Sequence, residues 1–304
     1  MRTSSHFGQL VGESGCAQKR TLAQLHFPQY DRATRCAELK VCMFEYMITK
    51  YDQSQRNESG AYIGPSAWTC YSDVGETFDG EVLTIEECLR VESAYIGAAI
   101  KLFEESGLPY LRLTRIQAHE WQIEEMRAEG YPLYDPVFET IDFTEDAIVL
   151  PKDMPTVLQM IFRGFADASL EWQDKFYVHI GWDFYMYVGT NKADEGIVDA
   201  IPSTGLYVER NYPSPYKAFN LPTNILHIER SKIGEEFVDD SYEINLPADY
   251  LERLKPIWGF SDEHPFLGNW RINRNRKQQI EKVVGQDFNF EVYEYYIQTV
   301  GWDD

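Results

Sequence analysis

The chain has 304 residues, of which 44 % are hydrophobic and 14 % aromatic, enough to build a buried core and to exclude disorder throughout. Its 28 Lys+Arg stand against 49 Asp+Glu, a formal net charge of −21. Such a surface repels nucleic acid and anionic membrane and steers cationic partners toward it.

The charge is uneven. Residues 1–40 carry a net +3, which leaves −24 on the remaining 264. Residues 1–37 read as an N-terminal extension, 38–212 as a main domain and 213–304 as a C-terminal subdomain. A strand-like run over Val41, Met43 and Tyr46–Ile48 ends at the polar loop 52–60, and Pro65, Gly75 and Gly80 keep 60–82 irregular around Trp68 and Tyr71. Thr84-Ile85-Glu86-Glu87 is a capping box, Ile85, Cys88, Leu89, Tyr95, Ile96, Ala99, Leu102 and Phe103 recur at helical spacing, and Gly107 terminates. This predicts a helix over 85–105.

Tyr110–Thr114 reads as a strand and 117–128 as a helix ended by Gly130 and Pro132. Asp153 with Pro155 behind it starts a helix expected over 155–168. Phe176–Ile180 and Phe184–Val188 flank Gly181-Trp182-Asp183 as a hairpin. A short helix near 193–201 and a strand at Leu206–Glu209 precede 211–223, whose three prolines read as a linker. Beyond it, Ile225–Glu229 and Tyr242–Leu246 read as strands, 248–255 and 275–284 as helices, and Phe288–Val300 as a last strand. Without regular βαβ spacing, the pattern is α+β, with mixed or mainly antiparallel sheets packed against several helices.

Phosphate-binding glycine loops and the nucleophile elbow are absent, and His119-Glu120 lacks a second His because position 123 is Ile. The six histidines show no metal-ligand spacing, and the five cysteines (16, 36, 42, 70 and 88) include no CxxC. No catalytic residue, metal or cofactor is therefore expected. Cys42 and Cys88 read as buried thiols in a reducing, cytoplasmic setting. With no apolar run of about 18 residues, no membrane-spanning helix is expected. His179 and His227 read as hydrogen-bonded sheet residues.

Six residues are candidates for binding: Trp68, Asp73, Glu92, Trp182, Asp183 and Tyr185. Glu92 falls in the middle of the apolar stripe of the 85–105 helix. A carboxylate there is either an acid at a site or a structural acceptor for backbone N–H groups, an Arg or a Tyr hydroxyl. Trp182 at a turn tip either anchors a partner or folds over the sheet, with Asp183 making an Asx turn. Glu235, Glu236, Asp239 and Asp240 read as a solvated acidic edge, and Arg271–Lys277 as an exposed helix start, or as a contact for a small anion or for an acidic patch of the same chain.

The stretch 51–75, followed by 83–96, with Trp68-Thr69-Cys70-Tyr71-Ser72-Asp73-Val74-Gly75 and then Val91-Glu92-Ser93-Ala94-Tyr95-Ile96, resembles a pattern of uncharacterised bacterial proteins, acidic and similar in style to the immunity proteins of polymorphic toxins. The resemblance implies an inhibitor that binds a cationic toxin directly. The alternatives are a general interaction module, or an enzyme using scattered carboxylates such as Glu92, Asp73 and Asp183.

Overall fold

A computed structural model describes residues 43–58, 62–118, 133–192, 194–216, 224–234, 240–266 and 268–299. The fold is α+β, and every strand pair among the described residues is antiparallel.

The larger of two main sheets has seven strands: β1 (Phe44–Thr49), β4 (Leu111–Ala118), β5 (Ile148–Val149), β6 (Ala166–Trp172), β7 (Phe176–Ile180), β8 (Met186–Thr190) and β9 (Tyr207–Arg210). Their order is β5-β4-β6-β7-β8-β1-β9, and the short pair β2 (Thr77–Phe78) and β3 (Glu81–Val82) stands apart. Alternation assigns the two faces of the sheet. Tyr46, Ile48, Phe176, Val178, Met186 and Val188 join the main core on one side. Met47, Tyr177 and Tyr187 form a smaller aromatic cluster on the other.

Helix α1 (Ile85–Ser106) covers the core face as the sequence predicts. The Thr84 hydroxyl accepts from the Glu87 amide at 3.2 Å, and Gly107 ends the helix in the left-handed region, where a side chain would be strained. The Glu87 carboxylate does not complete the capping box; it accepts from Arg90 Nε and Nη2 at 2.8 and 2.7 Å. Cys88, Tyr95, Ala99, Leu102 and Phe103 are buried, and each large apolar side chain contributes roughly 1.5–3 kcal/mol.

Helix α2 (Met154–Phe162) is shorter than the expected 155–168. Gly164, at φ +73°, closes a Schellman turn: its amide donates to Ile161 O at 3.1 Å, and that of Phe165 to Met160 O at 2.9 Å. Residues 166–168 thus belong to β6, a strand that the helical reading conceals. Residues 117 and 118 likewise belong to β4 rather than to a helix, and the remainder of the 117–128 reading lies outside the described residues.

The smaller sheet has the order β11-β10-β13-β12, formed by β10 (Ile225–Lys232), β11 (Asp240–Asn245), β12 (Asn269–Arg271) and β13 (Tyr293–Gln298). After α3 (Glu195–Ala200), helices α4 (Tyr250–Trp258) and α5 (Lys277–Val284) pack with that sheet around Leu226, Ile228, Tyr250, Leu254, Ile280 and Ile297, a core separate from the first. The strand expected over Phe288–Val300 begins only at Tyr293, because Asn289 O turns the chain by accepting from the Val292 and Tyr293 amides. Of the expected linker, residues 211–216 lie on the large sheet, with Ser214 fully buried, and 217–223 lie outside the described residues. The N-terminal extension 1–37 and Glu235, Glu236 and Asp239 also lie outside them. Arg271 pairs with Glu294, and Arg274 with Glu291 at 3.1 Å, so the basic stretch binds acids of its own chain. Among the described residues, no helix is long and apolar enough to cross a membrane.

Candidate functional site

Three polar groupings stand out, and only one opens to solvent. The first holds Glu92. Arg163 Nε and Nη2 donate to its two oxygens at 2.8 and 2.7 Å, and the Tyr71 hydroxyl donates to Oε2. Arg163 also donates from Nη1 to Leu133 O at 2.9 Å. Glu92 is 1 % exposed, and its acceptors are taken by a planar fork and a phenol. It is a structural anchor, and this occupancy removes it from the binding set.

The second is a buried relay on the far face of the large sheet. His179 Nδ1 lies 2.7 Å from Ser214 Oγ, and Nε2 lies 3.0 Å from Glu171 Oε1, which also accepts from the Thr114 hydroxyl at 3.1 Å. Burial acts to raise the Glu171 carboxyl, but His179 and Arg115 outweigh it and the net shift is downward. The trio resembles a nucleophile–base–acid set, yet Ser214 is fully buried and its oxygen already accepts the Tyr216 amide at 3.2 Å. It fastens residues 214–216 to the sheet.

The third is an open cleft of about 290 Å³ lined by Tyr51, Tyr62, Gly64–Ala67, Thr69, Asp183 and Tyr185. Its geometry is set by the β7–β8 hairpin. The loop closes where the Gly181 amide donates to Tyr185 O at 2.7 Å, and it carries two consecutive non-glycine residues in the left-handed region, Asp183 at φ 57° and Phe184 at φ 60°. Each such residue costs on the order of 1 kcal/mol and persists only where its surroundings hold it. Phe184 supplies the hold. Its ring packs against Trp68 at 4.9 Å, Phe162 at 5.5 Å and Tyr71 at 5.8 Å, and its carbonyl accepts from the Tyr95 hydroxyl at 2.7 Å. The strained turn is nailed down from below, with Asp183 and Tyr185 left in the cleft.

Tyr51 forms the centre of one wall, with its ring 5.1 Å from Tyr62 and 5.4 Å from Tyr185. Two cations of the chain already lie on these rings: Lys50 Nζ is 4.6 Å from the Tyr51 centroid, and the Arg56 guanidinium is 5.3 Å from that of Tyr185. Lys50 also sits 3.9 Å over the Trp68 ring and donates to Trp68 O. Burial pushes the Lys50 ammonium down to about 8, against the opposing pull of Cys88, Asp73, Asp183 and Glu87. Burial raises the Asp183 carboxyl, Lys50 opposes this, and Asp73 adds to it.

Residues 231–298 match a domain of unknown function, DUF7683. No curated protein and no solved structure matches the chain. The matched segment runs from the end of β10 to the end of β13 and lies wholly in the smaller-sheet unit, so the cleft lies outside it.

Of the six candidates from the sequence, Asp183 and Tyr185 line the cleft. Trp68 is buried and does not line the cleft; it packs on the Phe184 ring and carries Lys50 over its own ring. Asp73 shapes the wall: its Oδ2 accepts from the Thr69 and Cys70 amides at 2.7 and 3.2 Å. The Trp182 side chain lies outside what the structure describes. Sequence reading did not single out Lys50, Tyr51 and Tyr62 as binding residues; the one available signal for Lys50 was a lysine directly after the buried run Met47-Ile48-Thr49.

A pH signature follows from Lys50. Its folded value, about 8, lies below the ordinary lysine value of 10.5, so between these two the unfolded chain binds more protons and stability gains with rising pH. Lys50→Met removes this gain. Chemical unfolding of both proteins at pH 7.5 and 9.5 is expected to show the wild type improving relative to the variant; equal pH responses would contradict it.

Proposed function

We propose that this chain is an acidic binding protein that captures a basic protein partner, as immunity proteins capture toxins, through the tyrosine-lined cleft. One observation carries the reading. Among the described residues no hydrogen-bond donor reaches the Asp183 carboxylate, although it is held by a strained turn beside three tyrosine rings. A carboxylate next to aromatic faces suits a cation. The net charge of −21 supports the same reading at long range, since it accelerates encounter with a basic surface. Local strain retained at an exposed carboxylate fits a residue kept for binding rather than for folding.

The test is capture of a partner from native lysate by the full chain, followed by identification, repurification and rate measurement. A basic partner should associate about tenfold more slowly when salt rises from roughly 50 to 500 mM. Asp183→Asn suits the left-handed turn and should leave the melting temperature unchanged, while weakening affinity about tenfold. A salt-insensitive partner, or equal capture by Asp183→Asn, would overturn the reading.

A further inference from the structure

We propose that the cleft takes the guanidinium of an arginine side chain, and that its arrival at Asp183 drives a proton from the neighbouring Lys50 into solvent. This rests on the reading of the cleft as the contact for a basic partner.

The wall itself shows the ligand chemistry. Arg56 lies on the Tyr185 ring while its Nε pairs with Glu209 at 3.0 Å, so a guanidinium held between a tyrosine face and a carboxylate is already present at one end. Asp183, with Tyr51 and Tyr185 beside it, repeats that pairing of ring and acid at the open end, but with its acid free of donors among the described residues. A planar fork can lie on a ring and meet both oxygens of one carboxylate, whereas an ammonium is a strongly hydrated point charge.

A third cation on this wall changes the balance of the two already there. Arg56 does not shed its proton. Lys50 can. Among the described residues its ammonium makes one hydrogen bond, to Trp68 O, and no carboxylate pairs with it directly. The groups facing it are the Trp68 and Tyr51 rings, Asp73 from the wall, Asp183 from the hairpin, and Glu87 and Cys88 from α1. Asp183 is one of the charges that keeps Lys50 protonated, and a guanidinium bound there cancels that support and adds repulsion. Lys50 is already burial-shifted to about 8, so the loss falls within the range where it can be read. The guanidinium stays charged throughout, and the Lys50 proton passes to buffer.

The experiment titrates the full chain with N-acetyl-arginine amide, following the tyrosine ring signals and the Lys50 Cε–H signal by NMR across pH 6.5–9.5. Saturating probe should lower the Lys50 midpoint by about one unit, which corresponds to an affinity about tenfold higher at the alkaline end. N-acetyl-citrulline amide, neutral and of the same shape, should leave the midpoint in place, and Lys50→Met should bind the arginine probe with no pH dependence. If the probe shifts the tyrosines but leaves the Lys50 midpoint unmoved, the proton coupling is overturned and the cleft still stands as a cation site. If the tyrosines do not respond while the chain still captures a basic partner, arginine capture in the cleft is overturned and the acidic binder stands.

Discussion

Glu92→Leu is expected to destabilise the protein by about 3–5 kcal/mol, the range for removing one partner of a buried ion pair. The substitution suits the apolar stripe of α1, and by helical periodicity alone it should help. The structure reverses the sign. Arg163 is only 10 % exposed at its side chain, and a leucine opposite it would leave its fork with the Leu133 carbonyl as the remaining acceptor. The Tyr71 hydroxyl would lose its acceptor as well. Because Tyr71 and Phe162 both pack on Phe184, the damage should spread to the hairpin tip. Urea unfolding at neutral pH measures the loss. The double variant Glu92→Leu/Arg163→Met should recover most of it, since an apolar pair of similar volume replaces a buried ion pair at little cost. Full stability in the single variant would show that the network is dispensable.

The same residues show where sequence reading stops. The 85–105 helix was legible because its signals are local: a cap, a stripe and a terminating glycine. That Glu92 needs a partner was also legible, since an acid inside a stripe demands one. That the partner is Arg163, 71 positions away, was not, because long-range pairing leaves no spacing to read. β6 was hidden for a different reason. Its burial is nearly continuous, so the period-2 alternation that marks a half-exposed strand is absent, and the helical start at Asp153 carries past Gly164. Asp183 and Tyr185 were reached through the hairpin that carries them, whereas Tyr51 and Tyr62 meet Asp183 and Tyr185 in the cleft, with Lys50 against the Tyr51 ring, through antiparallel pairing of β1 beside β8.

Glu145→Ala is expected to cost about 3 kcal/mol and to loosen the contact between the two sheets, because one carboxylate serves two structures there. β4 carries an irregularity between Thr114 and Gln117, with Arg115 at φ 57°, and the Arg115 and Ile116 amides are turned out of the ladder. Glu145 accepts both, at 2.8 and 3.0 Å. Its Oε1 also meets Nε2 of His264 at 2.8 Å. The tautomer follows from the other ring nitrogen: the Phe266 amide donates to Nδ1 at 2.9 Å, so Nε2 carries the hydrogen and donates to Glu145. His264 is fully buried and stacks on Phe260, so it cannot turn to water when Glu145 is removed. Around it, Asp146 accepts from the Ser261 amide and hydroxyl at 2.7 Å each, and Arg112 reaches Glu263 at 3.3 Å. These contacts lie in the same seam and have partners of their own, so losing Glu145 should weaken the seam without separating it. Hydrogen exchange should show the Arg115 and Ile116 amides exchanging at least about tenfold faster in Glu145→Ala, with Phe266 following them, while the centre of β7 stays protected. A double-mutant cycle with His264→Ala should return a coupling of about 1 kcal/mol or more, as expected for groups sharing one hydrogen-bond network. Additive losses would mean that the bulge and the seam are held independently.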